Sequence, residues 1–192
     1  MALISTPVWN EMGVIPPVDE SDPTSHNRSP YQIDIIRFTA MFALTPARVK
    51  ILQGFLEFRK ALYAVGMNSG FQWLDGSFSE NVELIENRPP NDIDVVTFYK
   101  RDEGVTDDLI VSRNPALFDH DHVKSTYFVD SYFQPLQIEG GLLVSGTVYW
   151  YSMWSHKRDR SWKGFLNVPL SPDLDSTALT ILNHALNNGG EQ

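Results

Sequence analysis

The sequence predicts an α+β (α/β) domain, helices first and a small mixed sheet after. Three observations predict it. Apolar residues recur at helical spacing from Val49 to Tyr63, and β-branched and aromatic runs occupy 71–78, 92–99 and 126–133. A second apolar stripe at helical spacing closes the chain, from Ala178 to Leu186.

The elements follow in order. Residues 1–30 read as an extended arm, because Trp9 to Pro30 has no periodicity and is dense in Pro, Ser and Asp. Residues 31–192 then read as one domain. Ser29-Pro30 predicts the cap and first turn of a helix bearing Ile33, Ile36, Ala40, Met41 and Leu44. A second helix has Thr45 as cap, Pro46 at its first position, an apolar stripe through Leu62 and Tyr63, and Gly66 at its end. Arg48 and Lys50 are assigned to its exposed face. FQWLDGSF is a strand running into Asp75-Gly76-Ser77, and the turn Pro89-Pro90-Asn91 leads into a second strand, DIDVVTFY. Val105 to Phe118 is weakly helical and broken at Asn114-Pro115, and TYFVDSYF is a third strand. The aromatic run VYWYSMW suits strand or helix by periodicity and is assigned to helix. KGFLNVPL reads as the last strand, and the closing helix follows Ser171-Pro172 with Ala178, Leu179, Ile181, Leu182, Ala185 and Leu186 as its stripe.

Composition narrows the function. A length of 192 residues suits one domain, and 42% hydrophobic with 20% charged residues excludes a disordered or fibrous chain. With no cysteine, disulfides, zinc-thiolate sites, iron–sulfur clusters and thiol catalysis are excluded together. The beginning of the chain lacks a secretory pattern and no apolar run is long enough for a membrane span, so a soluble cytoplasmic protein is expected, without membrane partners. Fifteen Lys and Arg against 24 Asp and Glu give a formal charge of −9. That charge argues against coating long duplex nucleic acid, though a confined basic groove remains compatible with it.

The chemistry-bearing pattern is Gly76-Ser77 at the exit of one strand, Asp92-x-Asp94 at the entry of the next and Asp130 within a third. Residues two apart on a strand share a face, so Asp92 and Asp94 project together while Ile93 and Val95 face the core. If the strands are neighbours, three carboxylates converge. Hard divalent cations such as Mg2+ or Mn2+ take oxygen ligands, and ions held by shared carboxylates can clamp a phosphoryl displacement. Gly76 admits a close backbone approach, and Ser77 offers an N–H and a hydroxyl to a phosphate where a helix begins.

Together these residues resemble the signature of the nucleotidyltransferase superfamily, which has the polymerase-beta-like fold. Gly13-Val14-Ile15-Pro16-Pro17, Arg48 to Phe55, Trp73 to Phe78, Pro90 to Val96 and Arg158 to Gly164 are similar to an uncharacterised bacterial and phage family of nucleotidyltransferase-like proteins. The similarity spans roughly residues 9 to 170, most of a domain of ordinary size. The resemblance implies that Ser77 binds phosphate, that Asp92 and Asp94 are the metal pair, and that Asp130 is the third acid, a metal ligand and activator of the attacking hydroxyl. One departure is visible: 14 residues separate Ser77 from Asp92, longer than usual for the superfamily, and they carry Glu80, Glu83 and Glu86.

His156 to Lys163 places four basic residues around Trp162, and Arg160 and Lys163 are favoured there as phosphate contacts, with Trp162 or Trp154 available for base stacking. His120-Asp121-His122 reads as a polar loop rather than a transition-metal site. The run from Tyr149 to Trp154 reads as core or partner surface. Two functions are carried forward. The first is a metal-dependent enzyme that moves a nucleoside monophosphate from a nucleoside triphosphate to a hydroxyl of a protein, an RNA end or a small molecule, releasing pyrophosphate. By analogy with small superfamily members it suits a toxin or phage-defence setting. The second is a catalytically silent module of the same fold that senses a nucleotide or docks to a protein.

Overall fold

The computed structural model describes the backbone of residues 9–188 and side chains through His184. It contains a five-stranded mixed sheet and, among the described residues, seven α-helices. The strands are β1 (Tyr31–Gln32), β2 (Ser69–Asp75), β3 (Ile93–Lys100), β4 (Val129–Pro135) and β5 (Leu166–Pro169), in the order β1-β5-β2-β3-β4. β2 runs antiparallel to both neighbours, whereas the two outer pairs, β1 with β5 and β3 with β4, are parallel.

Helices α1 (Ile35–Phe42), α2 (Pro46–Val65) and α7 (Asp175–Asn188) cover one face, and α6 (Gly140–Trp154) lies against the other. The short α3 (Val82–Ile85), α4 (Asp107–Arg113) and α5 (His120–Tyr127) sit in the connections. Strand alternation sorts the side chains accordingly. Leu74, Ile93, Val95 and Val129 join Phe38, Phe55 and Leu62 in the larger core. Trp73, Val96 and Phe98 join Trp154 and Phe165 in a smaller aromatic core on the α6 face. Asp94 shares its face with Val96 and Phe98, so the polar end of the sheet opens toward α6.

Helix α2 matches its expected caps: the Thr45 side chain accepts from the Arg48 N–H, Pro46 is its first residue, and Gly66 is left-handed at φ 100°. The assignment of VYWYSMW to helix agrees with α6. The first helix is corrected. Ser29 bonds across to Phe165, accepting from its N–H at 2.8 Å, which leaves the next residues to form β1. Asp34 is the actual cap, and its side chain accepts from the Arg37 N–H. The third strand begins at Val129 rather than Thr126, because Thr126 and Tyr127 belong to the last turn of α5, which is capped by a left-handed Phe128.

The N-terminal segment does more than wrap. Val14 and Ile15 are buried, the Gly164 N–H donates to the Ile15 carbonyl at 2.6 Å, and the Asn81 N–H donates to the Gly13 carbonyl at 2.8 Å. Residues 1–8 of the predicted arm, and the side chains of Ala185 and Leu186 in the closing helix, lie outside what is described. Among the described residues no helix is long and apolar enough to cross a membrane.

Candidate functional site: a carboxylate cleft between the sheet and α6

The sheet register brings the acids together. Asp75, the last residue of β2, pairs with Asp94 on β3, and Asp94 pairs with Asp130 on β4. With Asp92 just before β3, these four carboxylates line one cavity of about 900 Å³, whose lining also includes Glu80, Glu86 and Asp159. Gly76 and Ser77 form part of its floor, and Tyr149, Trp150 and Met153 of α6 form a wall.

Gly76 is required by geometry. Its φ of 79° and ψ of −168° suit only glycine, and a Cβ there would lie 2.6 Å from Asp94 Oδ2. The carboxylate of Asp94 therefore occupies the space beside the bare backbone. The helix expected to begin at Ser77 is a 3₁₀ turn of only three residues, Ser77–Ser79, too short to present a helix-dipole site. What Ser77 can offer a phosphate is its own N–H and hydroxyl.

The charges around these acids are unevenly satisfied. Lys124 on α5 donates to Asp92 Oδ2 at 2.8 Å and to Asp130 Oδ2 at 3.0 Å. Its hydrogen bond to Asp92, opposed by partial burial and reinforced by Asp130, holds its ammonium above the usual lysine range. Close approach of α5 to α2 depends on Gly54, where a Cβ would strike the Tyr127 carbonyl. Lys163, almost fully buried, reaches Asp75 Oδ1 at 3.1 Å and Glu80 Oε1 at 2.8 Å. Burial opposes the Lys163 charge, but Asp75 and Glu80 outweigh it and raise its pKa. For Asp75 itself, burial wins over the pull of Lys163 and pushes the carboxyl up.

Asp94 has no comparable partner. Among the described residues no donor reaches its carboxylate, and burial, then Asp75, Asp130 and Asp92, push its pKa from 3.8 up to about 7. Asp130 Oδ1 is buried without a hydrogen bond, with His120 Nδ1 3.5 Å away.

Among the described residues no three His, Cys, Asp or Glu side chains are placed to hold a metal ion as they stand. The chemistry of the donors nonetheless fits one: an orphaned carboxylate oxygen on Asp130, an unpaired Asp94, and an ammonium that stands in for a cation between Asp92 and Asp130. Asp92, Asp94 and Asp130 are the residues that would ligate it.

Of the sequence-predicted residues, Gly76, Ser77, Asp92, Asp94, Asp130 and Lys163 all line the cavity. Lys163, however, is committed to internal ion pairs rather than open to a substrate phosphate. Arg160 lies outside the lining, on a loop where it adopts φ 72°. The cation that fills the expected place is Arg158, which lines the cavity and has no acidic partner among the described residues. Trp162 is exposed outside the cavity, and Trp154 is buried against Phe165, so neither presents an open stacking face. His120-Asp121-His122 opens α5 instead of forming a loop, with Asp119 as its cap.

The acidic insert also has a physical role. Glu83 pairs with Arg48, Glu80 with Lys163 and Lys157, and Glu86 with Arg88, so none of the three stands free beside the cleft. Arg48 is corrected from exposed to fully buried, because its guanidinium turns inward to Glu83 and to the carbonyls of Phe78 and Glu80. Lys124 and Asp75 were not singled out from the sequence. Asp75 was legible as a strand-end acid abutting Gly76; Lys124 had only its helical spacing from His120 as a signal.

The fold and cleft define an α+β protein with a strand-borne carboxylate site. Residues 7–169 match the family of unknown function DUF6932, and the chain belongs to that family. No curated protein and no solved structure matches it.

Proposed function

We propose that this protein has the polymerase-beta-like fold and is a nucleotidyltransferase that moves a nucleoside monophosphate from a nucleoside triphosphate to a hydroxyl acceptor, releasing pyrophosphate. The observation that supports it is the in-register row Asp75, Asp94 and Asp130 on adjacent strands, with the Asp94 carboxylate against the bare backbone of Gly76 before Ser77. Unpaired buried carboxylates are costly, so a fold that retains them is suited to a cationic ligand. Held by Asp92, Asp94 and Asp130, Mg2+ or Mn2+ would supply charge neutralisation for the phosphates. Ser77 would hold a phosphate oxygen, and Arg158 would reach the phosphates from the opposite lip. Asp130 Oδ1, without a hydrogen bond among the described residues, would accept the proton of the attacking hydroxyl.

A second reading has its own observation. Lys124 already neutralises Asp92 and Asp130, as it would in a silent module that senses a nucleotide or docks a protein without turnover.

Incubation with each labelled nucleoside triphosphate and Mg2+ or Mn2+, over protein, RNA and small hydroxyl acceptors, separates the two. Pyrophosphate release that disappears in the double variant Asp92→Ala, Asp94→Ala is the result expected of the enzyme. Tight nucleotide binding without label transfer to any acceptor is the outcome expected of the module.

A further inference from the structure

The aromatic wall of the cleft is the feature that neither the acids nor the core accounts for. Helix α6 buries only Trp154, while Tyr149 and Met153, 54% and 48% exposed, face the same cavity as the carboxylates. Large exposed apolar side chains inside a cavity lose free energy to water unless a ligand covers them. The wall is also held firmly. Trp150 packs on Tyr132 at 4.8 Å between ring centroids and edge-on to Trp154 at 5.8 Å, so its position is fixed from two sides. Tyr149 stands at 75° to Trp150 with centroids 5.0 Å apart. Two rings nearly at right angles form a corner, in which a flat ligand stacks on one and meets the other edge-on.

We infer that the corner of Tyr149 and Trp150, with Met153 beside it, is a nucleobase site, and that it orients a nucleoside triphosphate with its phosphates toward Ser77 and Arg158. This inference rests on the nucleotidyltransferase reading of the cleft. Charge supports the choice of occupant: Arg158 is a cation on the lining with no carboxylate partner among the described residues, whereas Lys124, Lys157, Lys163 and Arg88 are each engaged by carboxylates. A ligand with a flat ring at one end and anionic groups at the other satisfies both the corner and the arginine. The cavity of about 900 Å³ is large enough for it. The site also gives the base to Tyr149 and Trp150 rather than to Trp154 or Trp162: the first is spent on the core and the second is outside the cavity lining.

The test is calorimetric titration of the full chain with ATP, GTP, CTP and UTP, each with Mg2+, and with inorganic triphosphate. Tyr149→Ala, at a half-exposed position that leaves the core intact, is expected to weaken at least one nucleoside triphosphate about tenfold, the range of one base–aromatic stack. Tyr149→Phe should bind as the parent does, and inorganic triphosphate should bind both variants equally. Nucleotide binding that is the same in Tyr149→Ala as in the parent overturns the base site and leaves the nucleotidyltransferase reading standing. Stacking-dependent binding with no transfer to any acceptor upholds the base site and overturns turnover alone. Failure of every nucleotide to bind the parent chain overturns both.

Discussion

Two clusters of buried charge sit on opposite faces of the same sheet, and they are built in opposite ways. On the α2 face, Arg59 is fully buried yet completely occupied: it donates to both oxygens of Asp175 at 2.8 and 2.9 Å, to Gln72 at 2.7 Å, and to the carbonyls of Pro169 and Ser171. Arg48 is matched as fully by Glu83 and two carbonyls, and it packs over Trp9 and Phe78 at 5.1 Å. On the α6 face, Asp94 has no donor to its carboxylate among the described residues, the charges of Asp75, Asp130 and Asp92 outweigh the pull of Lys163, and Asp130 keeps an orphan oxygen. Saturated charge ties elements together; unsaturated charge leaves carboxylate oxygens without a partner among the described residues.

The largest expected effect breaks the saturated side. Arg59→Met leaves Asp175 without its partner and should cost about 3–5 kcal/mol, read as a lower urea midpoint at unchanged slope. A loss under about 1 kcal/mol would show that the network is replaceable by packing alone.

On the unsaturated side, Gly76→Ala puts a Cβ into the Asp94 carboxylate at a φ of 79°. Backbone strain alone should cost about 1–3 kcal/mol. Asp94→Asn made in the same chain should recover part of that loss only if the carboxylate charge is what resists; equal losses in both backgrounds would assign the cost to the backbone and the side-chain volume instead.

The next effect is in the pH profile, measured without divalent cation. Because the folded pKa of Asp94 is raised from 3.8 to about 7, the unfolded chain gives up this proton first as pH rises. Between those values the folded state binds more protons, so Asp94 makes stability fall with rising pH, by up to about 1.4 kcal/mol per pH unit. Asp94→Asn should remove that slope and leave the protein more stable above pH 7. Chemical denaturation at intervals across the window checks it, and a variant with the parent's slope would refute the unpaired Asp94.

The smallest expected change in stability is at Lys124, whose side chain is 43% exposed. Lys124→Met should alter stability by less than about 1 kcal/mol. It should nevertheless tighten Mn2+ binding, since a resident ammonium no longer competes for Asp92 and Asp130. Unchanged Mn2+ affinity would remove Lys124 as a stand-in for the cation.

Much of the architecture was legible locally. Thr45, Pro46 and Gly66 mark α2 by rules that involve only neighbouring residues, and the alternation of Ile93 and Val95 with Asp92 and Asp94 sorts β3 into a core side and a polar side. The first helix start was misread because the best local cap, Ser29, is taken by Phe165, 136 residues away. Arg48 was misread for a similar reason. Helical spacing places an arginine on a face, but only the partners from the Ser77–Asp92 segment decide that the face is inside.

The sequence by itself determined the candidate acids, the bare Gly76 and the alternation that turns Asp92 and Asp94 away from the core, since each depends on backbone preferences and spacing within a few residues. The tertiary structure alone decided that β2, β3 and β4 lie side by side with Asp75, Asp94 and Asp130 in register. It also decided that Lys124 bridges two of the acids, that Lys163 is consumed internally while Arg158 is left open, and that the α6 aromatics face the cleft. Those outcomes depend on pairing and burial between segments distant in the chain, where the cost of leaving a charge unpaired selects partners that local propensity does not encode.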